Sequence, residues 1–155
     1  MAFKQDIPAK QAFIEKLLAE GYEKAEVKAQ PADIIAVRDG VTWYYEIKLT
    51  DHEDKCFGAA TLTEWEQAFK TPETYRFVIA IRKPDQSFDF RIFTPAEFMQ
   101  FSTIPPFKVY FNIDLDRLQP RKKKKNQGAI SLTEENFQKM NALFKEMKEK
   151  RLTEE

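Results

Sequence analysis

Asp33, Glu46 and Lys48 are the residues of this chain whose types and spacing suggest a reaction. Two runs rich in β-branched and aromatic residues, Ile34-Ile35-Ala36-Val37 and Val41-Thr42-Trp43-Tyr44-Tyr45, lie either side of Asp39-Gly40. That dipeptide is favoured in two-residue hairpin loops. With such a loop Arg38 faces Val41, and counting outward sets Asp33 directly opposite Glu46. Directly opposed side chains on one face of a sheet have Cβ atoms about 4.5–5.5 Å apart, and like charges there repel. The two-residue strand period puts Lys48 on the face of Glu46 and sends Ile47 to the other. A divalent cation with oxygen ligands is the simplest relief for two opposed carboxylates beside a lysine. A plainer account also fits: Lys48 bridges Glu46 and Asp33 as a solvated ion pair of small energetic value.

The order of one Asp, a short hairpin and then acid-x-Lys (Asp33, Glu46-Ile47-Lys48) resembles the signature of the PD-(D/E)xK nuclease superfamily, which has the restriction-endonuclease-like fold. More closely, Gly21-Tyr22 after a helix, Ala32-Asp33-Ile34-Ile35-Ala36 and Tyr45-Glu46-Ile47-Lys48 are similar to the Holliday-junction resolvase and Mrr branch. The stretch 57–61, then Leu62-Thr63-Glu64-Trp65-Glu66-Gln67-Ala68 and Tyr75-Arg76-Phe77-Val78, resembles the domain at the C-terminus of NO VEIN proteins. There an acid-x-Lys strand precedes a Thr-x-x-Glu-Trp helix. The resemblance covers residues 8–82.

The resemblance implies a metal-dependent nuclease that hydrolyses phosphodiester bonds, with DNA as the expected substrate. It makes Asp33 and Glu46 metal ligands, with the backbone carbonyl of Ile47 as a third. Lys48 would orient or activate the attacking water and stabilise charge on the scissile phosphate. Hard oxygen ligands without neighbouring histidine favour Mg²⁺ or Mn²⁺ over zinc. The chain departs from the pattern in two places. Ala32 separates Pro31 from Asp33, and Lys10 stands where resolvase-type relatives carry an acid early in the first helix, with Glu15 out of register. The alternative is therefore a catalytically inactive module of the same fold that binds nucleic acid or a protein partner.

The elements that must hold these residues are legible in the surrounding pattern. Asp6-Ile7-Pro8 starts a helix and Gly21 stops it. Phe13, Ile14, Leu17 and Leu18 give that helix an apolar stripe. A first strand is expected within 22–29, at an edge, followed by the hairpin. Thr61-Leu62-Thr63-Glu64 reads as a capping box opening a helix with Leu62, Trp65, Ala68 and Phe69 on its apolar face. Trp65 is assigned to the core rather than to base stacking.

Residues 75–82 form a near-continuous apolar strand, as when both sheet faces are covered. Phe88, Phe90 and Ile92 alternate with Asp89 and Arg91 in a half-exposed strand, and a short helix follows at 95–101. Val109, Phe111, Ile113 and Leu115 alternate in a last strand. Three local strands, then a helix, then a fourth strand require a crossover and hence a mixed sheet. The expected fold is α/β, a restriction-endonuclease-like mixed sheet flanked by helices: an αβββαβ core with extra C-terminal strands and a helix.

The expected organisation is a domain over 1–118, a basic linker over 119–130 and a C-terminal helix over 131–155. Arg121, Lys122, Lys123, Lys124 and Lys125 are either a solvated connector or a strip contacting nucleic-acid phosphates. Ser131 to Glu134 reads as another capping box, with Phe137, Met140, Phe144 and Met147 as the stripe of the last helix. That stripe either docks on its own domain or pairs with a second copy in a homodimer.

Composition narrows the chemistry. The 155 residues carry 25 basic and 25 acidic side chains, a formal net charge of zero, which weighs against strong non-specific DNA binding. His52 is the single histidine and Cys56 the single cysteine. Zinc sites built on several such ligands are excluded, as is an intrachain disulfide. No run approaches the ~20 apolar residues that cross a bilayer, and the N-terminus has no signal-peptide core. A soluble, cytoplasmic protein without membrane association is expected.

Overall fold

The computed structural model describes residues 6–103, 113–117, 119, 120 and 132–152. The backbone divides into two compact units, Met1–Ser102 and Thr103–Glu155. The first is an α/β unit with a five-stranded mixed sheet. Its elements are α1 (Ile7–Ala19), β1 (Lys24–Val27), β2 (Ile34–Arg38), β3 (Val41–Thr50), α2 (Leu62–Lys70), β4 (Tyr75–Arg82), β5 (Phe88–Phe93) and α3 (Pro95–Gln100). The strands lie side by side in chain order. Only β3 and β4, joined through α2, run parallel, since parallel neighbours need a crossover.

The hairpin has the expected register. Arg38 pairs with Val41 and Ile34 with Tyr45, and the turn is closed by Asp39 at φ 51° and Gly40 at φ 74°. Asn, Asp and Gly tolerate that left-handed backbone best. Pro8 sits in the first turn of α1, where its missing N–H costs nothing, and Gly21 at φ 94° turns the chain out of the helix.

Strand alternation gives each sheet face its own cover. Ile34, Ala36, Tyr45, Ile47, Val78 and Ala80 pack against Ala9, Phe13, Ile14 and Leu17 of α1. Phe13 meets Tyr45 and Phe90 edge-on, with ring centroids 5.1 and 5.0 Å apart. The opposite face is aromatic. Phe77 stacks on Phe98 of α3 at 4.4 Å, and Trp65 of α2 lies 4.8 Å from Phe77. Trp65 is thus a core anchor, buried as its place in the stripe requires.

Several details differ from the sequence pattern. Leu18 is 46 % exposed and does not join the core; Ala9 and Lys10 are buried on α1 in its stead. Helical periodicity marks a face but not its width, and here the covered face is shifted toward the start of the helix. Leu62 and Ile92 are exposed too, one in the first turn of its helix and the other on a strand at the sheet edge.

In the second unit, β6 (Ile113–Asp114) pairs with β7 (Gln119–Pro120), and α4 spans Glu134–Leu152. Leu115 lies exposed in the turn after β6, so the expected strand ends one residue earlier. The rest of that strand, including Val109 and Phe111, lies outside the described residues. The Oγ1 of Thr133 accepts from Asn136 N–H at 3.1 Å at the start of α4; Ser131, the expected start of a capping box, lies outside the described residues. Of the apolar stripe on α4, Met147 is buried while Phe137 is exposed. No described helix is long and apolar enough to cross a membrane.

Candidate functional site

β3 is ten residues long because it serves two partners in turn. Its first half pairs with β2 as far as Tyr45, and its second half pairs with β4 from Tyr44 onward. Glu46, Ile47 and Lys48 therefore occupy the stretch where β2 has left the strand. Ile47 stays within the α1 core. Its N–H, freed from the ladder, donates to Asp33 Oδ2 at 2.9 Å. A buried N–H without a partner costs free energy, so this bond fixes the Asp33 carboxylate beside the strand.

Glu46 and Lys48 project from the face that α2 covers. Lys48 Nζ lies 3.2 Å from Glu46 Oε1 and 2.8 Å from Glu64 Oε2. Glu64 belongs to the capping box of α2, in which Thr61 N–H donates to Glu64 Oε2 at 2.9 Å and Glu64 N–H to Thr61 Oγ1 at 3.2 Å. One carboxylate oxygen thus closes the helix start and holds the lysine of β3. The helix N-terminus also favours negative charge in its first turn.

On the other side Asp33 meets Lys10. Lys10 Nζ lies 2.7 Å from Asp33 Oδ1 and 2.8 Å from Asp6 Oδ2. Lys10 is only 9 % exposed, and a lysine that deep in a fold is a charge that must be paired. Burial acts to lower its pKa, but the bonds to Asp33 and Asp6 outweigh it and hold the ammonium charged. The same balance holds at Lys48, where burial is overcome by Glu64 and Glu46.

Electrostatics single out Glu46. It is 7 % exposed, and burial pushes its pKa up to about 8, helped by the negative charges of Asp33 and Glu64 and opposed by Lys48. Four carboxylates (Asp6, Asp33, Glu46 and Glu64) thus share two ammonium groups, Lys10 and Lys48. Full ionisation would leave an excess of two negative charges, and the charges of Asp33 and Glu64 add to the burial that raises the Glu46 pKa.

Tyr75, beside Phe77 on β4, adds a fully buried hydroxyl. Burial raises its pKa, with Glu46, Glu64 and Asp33 adding to the effect. Among the described residues, this hydroxyl and Asp6 Oδ1 are the buried side-chain oxygens without a hydrogen-bond partner.

The donor set suits a hard divalent cation. The oxygens are carboxylate, the charge excess matches one such ion, and each oxygen already hydrogen-bonded keeps a second lone pair. Among the described residues no group of three or more His, Cys, Asp or Glu side chains is placed to hold a metal ion by itself. An ion bound here would therefore complete its shell with main-chain oxygen, water or a substrate phosphate, the habit of Mg²⁺ rather than of zinc.

Of the residues singled out in the sequence, Asp33 is bonded to Ile47 N–H and Lys48 to Glu46, beside the start of β2, and the charge of Asp33 acts on Glu46. Asp33 lies just before the β2–β3 ladder rather than within it. Lys48 bridges Glu46 to Glu64, not to Asp33. Arg121, Lys122, Lys123, Lys124 and Lys125 lie outside the described residues. Sequence reasoning missed Glu64, Asp6 and Tyr75 as parts of the site, and treated Lys10 as a departure without a partner. The one available signal was Glu64: its helix starts directly after the acid-x-Lys strand and its loop, on the crossover to the neighbouring strand. No family model, curated protein or solved structure matches the chain.

Proposed function

We propose that this protein is a Mg²⁺- or Mn²⁺-dependent nuclease of the restriction-endonuclease-like type that hydrolyses phosphodiester bonds in DNA. The observation that carries the reading is buried Glu46, paired with Lys48 and opposed by the charge of Asp33, where β2 parts from β3. The element order of helix, three antiparallel strands, helix and parallel strand supports the same assignment.

Glu46 and Asp33 would hold the ion, with the carbonyl of Ile47 available to it. A bound divalent cation would supply Lewis acidity and a water of lowered pKa. The chain's own contribution is placement. Ile47 N–H fixes Asp33, and Glu64 with Glu46 aims the Lys48 ammonium, which stays charged to orient water and meet the scissile phosphate. The partner is nucleic acid, in a cytoplasmic setting, and α4 is a candidate surface for homodimerisation.

Supercoiled plasmid incubated with the protein is expected to be nicked in millimolar Mg²⁺ or Mn²⁺ and left intact in EDTA or Ca²⁺. Nicking that is equal in EDTA, or absent with both metals on duplex, junction and single-stranded substrates, would reject the reading. One observation favours a second reading, a non-catalytic nucleic-acid or protein-binding module of the same fold: Lys10 already pairs Asp33.

A further inference from the structure

Lys10 is one of three polar or charged side chains buried in the described chain, with Glu46 and Thr50. The ammonium bridges carboxylates from two places distant in sequence, Asp6 at the start of α1 and Asp33 at the start of β2. Removing water from a lysine in order to brace a helix against a strand is an inefficient way to gain stability. An apolar residue at that position would extend the adjoining α1 core of Ala9, Phe13 and Ile14. The placement has a different consequence. The ammonium sets a positively charged group against the Asp33 oxygen that does not face Ile47.

We infer that Lys10 is a built-in cation: its ammonium, held between Asp33 and Asp6, stands where a second divalent ion would bind and limits the site to one ion, on the Glu46 side. Lys10 is then a positioning residue for the metal centre, not a catalytic one. The inference rests on the metal-binding reading of Glu46 and Asp33 proposed above. Three further observations support it. Asp33 Oδ2 is committed to Ile47 N–H and Oδ1 to Lys10. Asp6 offers its second oxygen, Oδ1, buried and without a hydrogen-bond partner. Two carboxylates converging on one ammonium at 2.7 and 2.8 Å would become an oxygen-lined cation site once that ammonium is withdrawn. Hard divalent ions are bound by such oxygens.

The test counts Mn²⁺ bound to the full chain by equilibrium dialysis, with the low-temperature Mn²⁺ resonance spectrum as a second readout. The wild type is expected to bind one ion per chain, Lys10→Gln two, and Lys10→Arg one. The two ions of Lys10→Gln should show spin coupling, a signature that a merely structural role for Lys10 would not produce. If Lys10→Gln is unfolded in EDTA, Mn²⁺ is expected to refold it with two ions bound; failure to refold overturns the inference. One ion on both the wild type and Lys10→Gln, or two on the wild type, would also overturn it and leave the nuclease reading standing. A wild type that binds no Mn²⁺ would instead overturn the nuclease reading, and this inference with it.

Discussion

Glu46→Gln is expected to lose Mg²⁺-dependent cleavage by a factor on the order of 10²–10⁴ while making the metal-free protein more stable at pH 8. On the proposed nuclease reading, the loss follows from withdrawing an anionic ligand from an ion whose transition-state contribution would be worth several kcal/mol, each ~1.4 kcal/mol being tenfold in rate. The gain follows from linkage. The Glu46 carboxyl titrates near 8 in the fold, against an ordinary value of 4.5, because burial and the charges of Asp33 and Glu64 oppose its ionisation.

A raised acid pKa means that the folded state binds more protons than the unfolded one between those two values. Stability therefore falls as pH rises from about 4.5 to about 8, and the loss is complete above that. Glutamine has no charge to confine. The variant should exceed the wild type by about 2–4 kcal/mol at pH 8.5 in EDTA, with the margin vanishing below pH 4.5. Urea midpoints at unchanged m-value measure it. A variant no more stable than the wild type at pH 8.5 would contradict the strained-carboxylate account, whatever happened to cleavage.

Lys48→Met is expected to separate metal binding from cleavage. The ammonium is held by Glu46 and Glu64, so its removal strips positive charge from the carboxylates and should leave Mn²⁺ affinity equal or higher. Cleavage should nevertheless fall by about 10²–10³-fold, the usual cost of removing one preorganised charge from a transition state. The fold should weaken by about 1–3 kcal/mol, because half-buried Glu64 then lacks its ammonium partner. Calorimetric Mn²⁺ titration beside a single-turnover nicking assay reads both effects. Parallel loss of binding and cleavage would move Lys48 from substrate chemistry to mere support of the metal ligands.

These effects sit on a scaffold that was legible in the chain to different depths. The hairpin could be read to the residue because Asp39-Gly40 admits few loop geometries, and strand alternation then sent Ile47 to one face and Glu46 with Lys48 to the other. The crossover helix and parallel fourth strand were legible from the capping box at Thr61 and the doubly buried run of β4.

What stayed hidden was contact between residues distant in sequence. Glu64 has a sufficient local reason to exist as the partner of Thr61, so only the place of its helix just after the acid-x-Lys strand hints at Lys48. Lys10 looks like an ordinary helix-surface lysine until the sheet brings Asp33 to it. Leu18 shows the converse: it satisfies the periodicity, yet packing leaves it exposed. Local rules fix which face a residue takes, whereas the partner on that face is set by tertiary packing.

The most direct test is the anomalous difference map of a crystal of the wild-type protein soaked in Mn²⁺. One peak is expected per chain, about 2.0–2.4 Å from a carboxylate oxygen of Glu46, between the Asp33 side chain and the Lys48 ammonium. An empty map at that position, or a peak held only by residues elsewhere on the surface, would contradict the account.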